Sequence, residues 1–187
     1  MIDIIPFGGL ESEDHTIAWP PDADVVMNVA AFPEVFASSV VIEIRSDFRI
    51  PTPSLAGLII LKLFAWLDRR DARDVSDIRR ILETYTDAGN VDRLYEEETE
   101  ELERVNFDTT LAGAYLLGKD ARLVVTPETQ ESLSGALSGK VIADLIREVA
   151  RSMSSLENRT DPATALLGGF FRGMGIESSS AISSLGS

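Results

Sequence analysis

The stretch from Ile50 to Tyr85 constrains the fold of this chain more than any other. It joins a helix that is apolar on almost every side to an amphipathic helix, and it places the charged run DRRDARD in the turn between them. Thr52 followed by Pro53 is a common beginning of a helix. The sequence therefore predicts helices over residues 53–69 and 72–86, the first of them central in a helical bundle.

The rest of the chain divides into a β-rich beginning and a helical remainder. Strands are predicted over residues 2–7, 15–20, 23–29 and 40–49, with a short helix over 32–38. Further helices are predicted over residues 91–105, over 111–125 with a break at Gly118, after Thr126, over 141–153 and after Asp161. The expected class is α+β: a sheet over residues 1–50 that packs on a helical bundle over 51–175, followed by a disordered tail over 176–187.

The composition excludes several classes of function. The formal net charge is −14, and a protein that binds duplex DNA nonspecifically should be basic. Cysteine is absent and His15 is the only histidine, which excludes disulfides, zinc sites built on several histidines and Ser-His-Asp triads. The beginning lacks the pattern of a signal peptide, and Leu55–Leu67 is too short to span a membrane. We expect a cytoplasmic protein with no membrane or duplex DNA partner.

Lys62 is the single charge inside the apolar helix. One interpretation is that its stem lies along the apolar surface and its ammonium reaches water at the edge of the bundle. The other is that the rigid helix holds a cation against a phosphate group, together with Arg69 or Arg70.

Five aspartates and the histidine are further candidates. Asp71 fits the N-cap of the second helix and Asp74 favours its first turn, and a cap can also orient Arg69 or Lys62. Asp3 lies among isoleucines, where a carboxylate is costly unless it is paired or binds a metal, although a charge in a strand is usually exposed. Asp22-Ala23-Asp24 has the spacing of a magnesium-binding pair but reads as a turn, and His15 reads as exposed. The run EEETEELE at residues 96–103 reads as a solvated helix face.

Three segments together resemble a known family. They are IDIIPFGG at residues 2–9, IAWPP at residues 17–21, and LKLFAW at residues 61–66 followed by DR and DARD. This set resembles the AbiEii/AbiGii-type nucleotidyltransferases of the polymerase-β-like superfamily, some of which are toxins of toxin–antitoxin or phage-defence pairs. The resemblance spans roughly residues 1–150 and is most specific over residues 58–85.

The resemblance implies a partial nucleotidyltransferase-like mixed sheet and a metal-dependent transfer of a nucleotidyl group from a nucleoside triphosphate to an acceptor. By matching position, Asp3 is implied as a catalytic carboxylate that binds Mg²⁺, and Lys62 as the catalytic lysine that faces the phosphates. Arg69, Asp71 and Asp74 match the nucleotide-binding part of the signature.

The chain departs from the family at its beginning. The family starts with a glycine turn, a helix and an Asp-x-Asp strand, whereas Asp3 is almost the first residue here, and the segment between Gly9 and Asp22 has no helical periodicity. We therefore expect the primary metal-binding unit to be missing and the protein to be incomplete or inactive as it stands. The alternative is a non-catalytic acidic interaction module or partner in a toxin system, which forms a homodimer or binds a protein through an exposed sheet edge or the helix that carries Phe170 and Phe171.

Overall fold

The computed structural model of the chain describes residues 4–19, 21–153 and 160–177. Its strands precede most of its helices: β1 (Thr16–Ala18), β2 (Val26–Asn28), β3 (Val40–Arg45) and β4 (Phe48–Thr52). β1 pairs with β2 and β3 with β4, both antiparallel, so the described strands form two separate two-stranded sheets. The α+β class is confirmed, but the described strands do not join in one mixed sheet.

The helices make up most of the described chain. A short helix, α1 (Phe32–Ala37), separates the two sheets, and the others follow β4. They are α2 (Leu55–Arg69), α3 (Ala72–Thr84), α4 (Val91–Glu97), α5 (Thr99–Arg104), α6 (Thr109–Val124), α7 (Pro127–Ala136), α8 (Gly139–Ser152) and α9 (Thr160–Met174), with a 3-10 turn at Thr86–Ala88. None of the described helices is both long and apolar enough to cross a membrane.

Two strand predictions were wrong in detail. Residues 4–7 form no strand, and the ring of Phe7 packs against Phe32 and Phe36 of α1, each with ring centroids 5.7 Å apart. The segment predicted as one strand over 40–49 turns back at residues 46–47, with a bulge between Glu43 and Arg45. The predicted pair of strands on either side of residues 20–22 is confirmed as β1 and β2.

The α2–α3 pair begins where local capping dictates. Thr52 ends β4, and Ser54 is the N-cap of α2, because its Oγ accepts a hydrogen bond from the backbone N–H of Gly57 at 3.1 Å. The predicted beginning of this helix at residue 53 was therefore early. Asp71 is the N-cap of α3, as predicted, and accepts from the backbone N–H of Arg73 at 2.8 Å.

The acidic segment over residues 96–103 is not simply a solvated face. The predicted helix over 91–105 divides into α4 and α5 at Glu98. Glu98 and Glu101 are both buried. Glu98 pairs with Lys119, and Oε1 of Glu101 lies 2.6 Å from Nη2 of Arg104 and 2.6 Å from Nη2 of Arg172. The helices in the interior therefore supply cations to this acidic segment, which sequence periodicity alone does not show.

Gly118 does not break α6, contrary to the sequence expectation, but permits a close helix crossing. A Cβ at Gly118 would lie 2.1 Å from the backbone oxygen of Phe170 in α9. A Cβ at Gly173 in α9 would lie 2.1 Å from the backbone oxygen of Tyr115 in α6. The two helices therefore meet backbone to backbone, and no larger residue fits at either glycine.

The core lies among α2, α3, α6, α8 and α9. Trp66 of α2 and Phe170 and Phe171 of α9 are fully buried in it. The rings of Phe170 and Phe171 therefore cannot serve as the contact surface suggested from sequence. Ile176 is also buried, and residues 178–187 lie outside the described part of the chain.

The exposed hairpin, residues 40–52, differs from the rest of the fold. All its residues are exposed except Thr52, which is half-buried. Ile42 lies opposite Ile50, whereas Glu43 lies opposite Arg49, so one face of the ribbon is apolar and the other carries an ion pair. A two-stranded hairpin is only marginally stable by itself in water, so the exposed apolar face of this one is a candidate contact surface.

Candidate functional site

The α2–α3 pair brings together four charged side chains. Lys62 and Arg69 lie seven residues apart on one side of α2, and Asp74 and Asp77 lie three residues apart on one side of α3. Because the two helices pack against each other, the two cations meet the two carboxylates. We call these four residues the Lys62–Asp74 cluster.

Asp74 is the buried centre of this cluster. Its side chain is 0% exposed, and it accepts three charged hydrogen bonds. Arg69 donates two of them, from Nε to Oδ2 at 2.7 Å and from Nη2 to Oδ1 at 2.6 Å. Lys62 Nζ donates the third to Oδ1 at 3.2 Å. A carboxylate without solvent needs such partners to remain ionised.

Lys62 lies between the interior and water. Its side chain is 25% exposed, and its ammonium contacts Asp77 Oδ2 at 2.6 Å as well as Asp74. An ammonium has three donors, so one remains for another ligand. The sequence allowed two interpretations, a lysine that reaches water and a lysine held to bind an anion. The side chain is partly exposed to water, as the first requires, and its ammonium is held in place by carboxylates, as the second requires.

The ionisation of the cluster follows from these contacts. Burial raises the pKa of the Asp74 carboxyl, but the hydrogen bonds from Arg69 and Lys62 lower it by more, so its pKa lies below the usual value. Partial burial lowers the pKa of the Lys62 ammonium, but the bonds to Asp77 and Asp74 outweigh it and raise the pKa. The hydrogen bond to Asp74 raises the pKa of Arg69. All three groups are charged near neutral pH.

Asp71 has a separate role from the cluster in this structure. Besides capping α3, its carboxylate pairs with Arg73, whose Nη2 lies 2.7 Å from Oδ2. The hydrogen bonds from Arg73 hold the pKa of the Asp71 carboxyl well below its usual range. Five site residues were predicted from the sequence: Asp3, Lys62, Arg69, Asp71 and Asp74. Among these five, Lys62, Arg69 and Asp74 contact one another in the structure.

The other sequence candidates do not join the cluster. Asp3 lies outside the described residues. Asp22 and Asp24 are exposed around Ala23, which has a left-handed backbone at φ 59°, in keeping with a turn. His15 is exposed and lies 3.8 Å from Glu11. The cluster member that sequence reasoning missed is Asp77, although its spacing of three from Asp74 places it on the same side of α3.

The described carboxylates do not form a magnesium site by themselves. Nowhere in residues 4–19, 21–153 and 160–177 do three histidine, aspartate or glutamate side chains group as metal ligands. Asp74 has both oxygens occupied by Arg69 and Lys62, and Asp77 faces the Lys62 ammonium. Mg²⁺ needs near-octahedral oxygen ligation, so this donor set, rich in cations, does not suit it.

The α2–α3 turn is also fixed by contacts at the end of α2. The indole N–H of the buried Trp66 donates to Glu148 Oε2 of α8 at 2.8 Å. Arg70 ends α2 with a left-handed backbone, and its guanidinium lies 4.0 Å above the Trp66 ring. These contacts hold the end of α2 against α8.

The match to known proteins covers the segments on which the resemblance was based, except residues 2–5, which include Asp3. The family model described as "Nucleotidyl transferase AbiEii toxin, Type IV TA system" matches residues 6–166, which include the whole Lys62–Asp74 cluster. No curated protein and no solved structure matches the chain. Because the family model covers most of its length, the chain belongs to the AbiEii nucleotidyltransferase toxin family.

Proposed function

We propose that the chain binds a nucleoside triphosphate at the Lys62–Asp74 cluster and, where metal ligands from outside the described residues complete the site, serves the transfer of a nucleotidyl group to an acceptor. In this reaction an acceptor oxygen forms a bond to the α-phosphorus while the bond to the bridging oxygen breaks, and pyrophosphate leaves with that electron pair; a hydroxyl acceptor releases its proton to water. The observation that carries the proposal is a lysine and an arginine held side by side on a buried carboxylate.

The two cations retain donors for phosphate oxygens. Arg69 uses Nε and Nη2 for Asp74, and its side chain is 53% exposed, so its remaining N–H groups can reach a ligand. Asp77 is 49% exposed, whereas Asp74 is fully buried. A triphosphate can therefore take the place of Asp77 on Lys62 while Asp74 keeps both cations in position.

Such an arrangement favours the leaving group. Lys62 and Arg69 would contact the β- and γ-phosphates, where negative charge increases as pyrophosphate leaves. The family generally uses a divalent metal, and the described residues do not supply its ligands. The resemblance implies that Asp3 binds Mg²⁺, but Asp3 lies outside the described residues. We therefore assign no step of the reaction to the metal.

The test compares two matched lysine variants. The protein is incubated with Mg²⁺ and each of the four labelled ribonucleoside triphosphates, with RNA and protein as acceptors. Lys62→Met should lower transfer by about 100-fold or more. Lys140→Met, at an exposed lysine of α8 that forms no ion pair with any described residue, should leave transfer unchanged.

Two outcomes would contradict the proposal. One is the absence of transfer with all four nucleotides together with the absence of nucleotide binding by calorimetry. The other is an equal loss in the Lys62 and Lys140 variants, which would indicate a general charge effect.

The exposed hairpin favours a second function, the binding of another copy of the chain. The outer edge of β3 carries unpaired backbone groups, whereas Pro51 in β4 has no N–H to offer. If two β3 strands pair antiparallel about Ile42, Val40 lies opposite Ile44 and the apolar face continues across four strands. The hairpin charges are paired within it, Glu43 with Arg49 and Arg45 with Asp47, so two hairpins bring little net charge together.

Light scattering after size-exclusion chromatography tests this association. We expect a dimer that Ile42→Lys converts to a monomer, because an inserted lysine disfavours edge pairing. Leu123→Lys is the matched control, since Leu123 is 84% exposed in α6 and should leave the dimer intact. A wild-type monomer at 100 µM protein, on the order of a weak specific contact, would contradict the proposal.

A further inference from the structure

A charged pocket lies on the side of α3 away from the Lys62–Asp74 cluster. It is a surface concavity of about 470 Å³ bounded by the end of α2, the first turns of α3 and the end of α8. Ala72, Val75 and Ser76 of α3 line it, whereas the Lys62–Asp74 cluster uses Asp74 and Asp77 of the same helix. The two sites therefore use different sides of α3.

Arg70 and Arg151 supply the positive charge of this pocket. Most described lysine and arginine side chains form ion pairs with carboxylates, as expected for a chain of charge −14. Neither Arg70 nor Arg151 has such a partner among the described residues. Two guanidinium groups without an ion-pair partner among the described residues are thus placed in one concavity.

Arg70 is held ready for a ligand. The αL backbone that ends α2 directs its side chain back over Trp66, and the indole is itself fixed by the hydrogen bond to Glu148. Stacking uses the flat face of a guanidinium and leaves its N–H groups, which lie in the plane, free to donate. Little side-chain entropy then remains to be lost on binding an anion.

The lining narrows the class of ligand. Glu148 also lines the pocket and gives one of its oxygens to Trp66, so the lining has two positive charges against one negative. A phosphate monoester carries nearly two negative charges and three oxygens, enough to accept from both guanidinium groups. The volume is within the range of small-molecule sites, and the exposed Ala72 offers apolar contact to an organic group.

We propose that this pocket binds the phosphate group of a small phosphorylated molecule through Arg70 and Arg151. Phosphate supplies the charge that both arginines lack, and the apolar wall favours a phosphate that is carried on an organic group over free phosphate. This inference does not rest on the proposed transfer reaction, since it uses neither Lys62 nor Arg69.

The test follows the fluorescence of Trp66 in the full chain with the substitution Trp19→Phe, which leaves Trp66 as the single tryptophan. Adenosine monophosphate, inorganic phosphate and adenosine are titrated separately at constant ionic strength. We expect adenosine monophosphate to bind at least about tenfold more tightly than phosphate, a difference of about 1.4 kcal/mol, and adenosine not to bind. Arg70→Gln and Arg151→Gln should each weaken binding by about tenfold or more.

Arg80→Gln is the matched control, because Arg80 is exposed on α3, lacks an ion pair among the described residues and does not line the pocket. It should leave the affinity unchanged. Equal losses in the Arg70 and Arg80 variants would overturn the proposal, as would no binding at millimolar ligand. Equal affinity for phosphate and adenosine monophosphate would overturn the role of the organic group.

Discussion

Asp74→Asn is the sharpest test of the buried carboxylate between α2 and α3. The asparagine keeps the shape of the side chain and one acceptor oxygen, but its amide N–H₂ faces the donors of Arg69 or Lys62. Breaking a buried charge pair costs about 3–5 kcal/mol when the remaining charge stays buried. Here the partners can turn to water, because the side chains of Arg69 and Lys62 are 53% and 25% exposed. We therefore expect a loss of about 2–3 kcal/mol.

Urea denaturation followed by circular dichroism measures this loss. For a chain of this length it corresponds to a decrease in Tm of about 5–10 °C. Asp71→Asn is the matched control on the same helix, since asparagine caps as well as aspartate and the pair with Arg73 is at the surface. It should change the free energy of unfolding by less than about 0.5 kcal/mol.

The pH dependence of stability provides a second measurement on the same variant. The pKa of Asp74 is lowered on folding, so its contribution is fully present above the unfolded pKa of about 3.9. It is lost as the pH falls through the folded pKa. The difference in unfolding free energy between wild type and Asp74→Asn should therefore shrink below about pH 4. A constant difference from pH 7 to pH 3, or equal losses in the Asp74 and Asp71 variants, would refute the reasoning.

Further predictions concern the helix crossing and the interior. Gly118→Ala should destabilise the fold by about 3 kcal/mol, because its Cβ would press on the backbone oxygen of Phe170. Gly135→Ala, with open space around it, should be neutral or stabilise the fold by about 0.5 kcal/mol. Thermal melts of both variants check this, and equal Tm values would contradict it. Burial and the hydrogen bond to Asp120 raise the pKa of Tyr85. Its absorbance at 295 nm should therefore not change at the pH values where exposed tyrosines, with a pKa of about 10, ionise. If Tyr85→Phe loses part of the absorbance change that the wild type shows in this pH range, the prediction is wrong.

The sequence predicted the α2–α3 pair well because its signals are local. The N-cap at Asp71 and the periodicity of the following apolar residues depend only on neighbouring residues, and α3 begins where they indicate. The ion pair between Lys62 and Asp74 was not predicted, since it depends on the rotation of two helices about their axes. A spacing rule places Asp77 beside Asp74 but cannot show that Lys62 lies between them.

Other features required long-range contacts. Gly118 looks like a helix breaker until α9 is known to pass against it, because the same lack of a side chain weakens an isolated helix and permits a close crossing. The turn of the exposed hairpin at residues 46–47 lacks glycine or Asn-Gly, so the strand pattern continued through it. The stacking of Arg70 on Trp66 depends on a single left-handed residue at the end of α2.

The backbone crossing of α6 and α9 has a consequence for synthesis on the ribosome. Residues 109–124 are synthesised before α9, and at about 5–20 residues per second the interval until residue 174 is made is roughly 2–10 s. During this time the groove at Gly118 has no partner, so the nascent protein exposes apolar surface that a chaperone can bind. The core would therefore be fully packed only after α9 has been synthesised and has docked on α6.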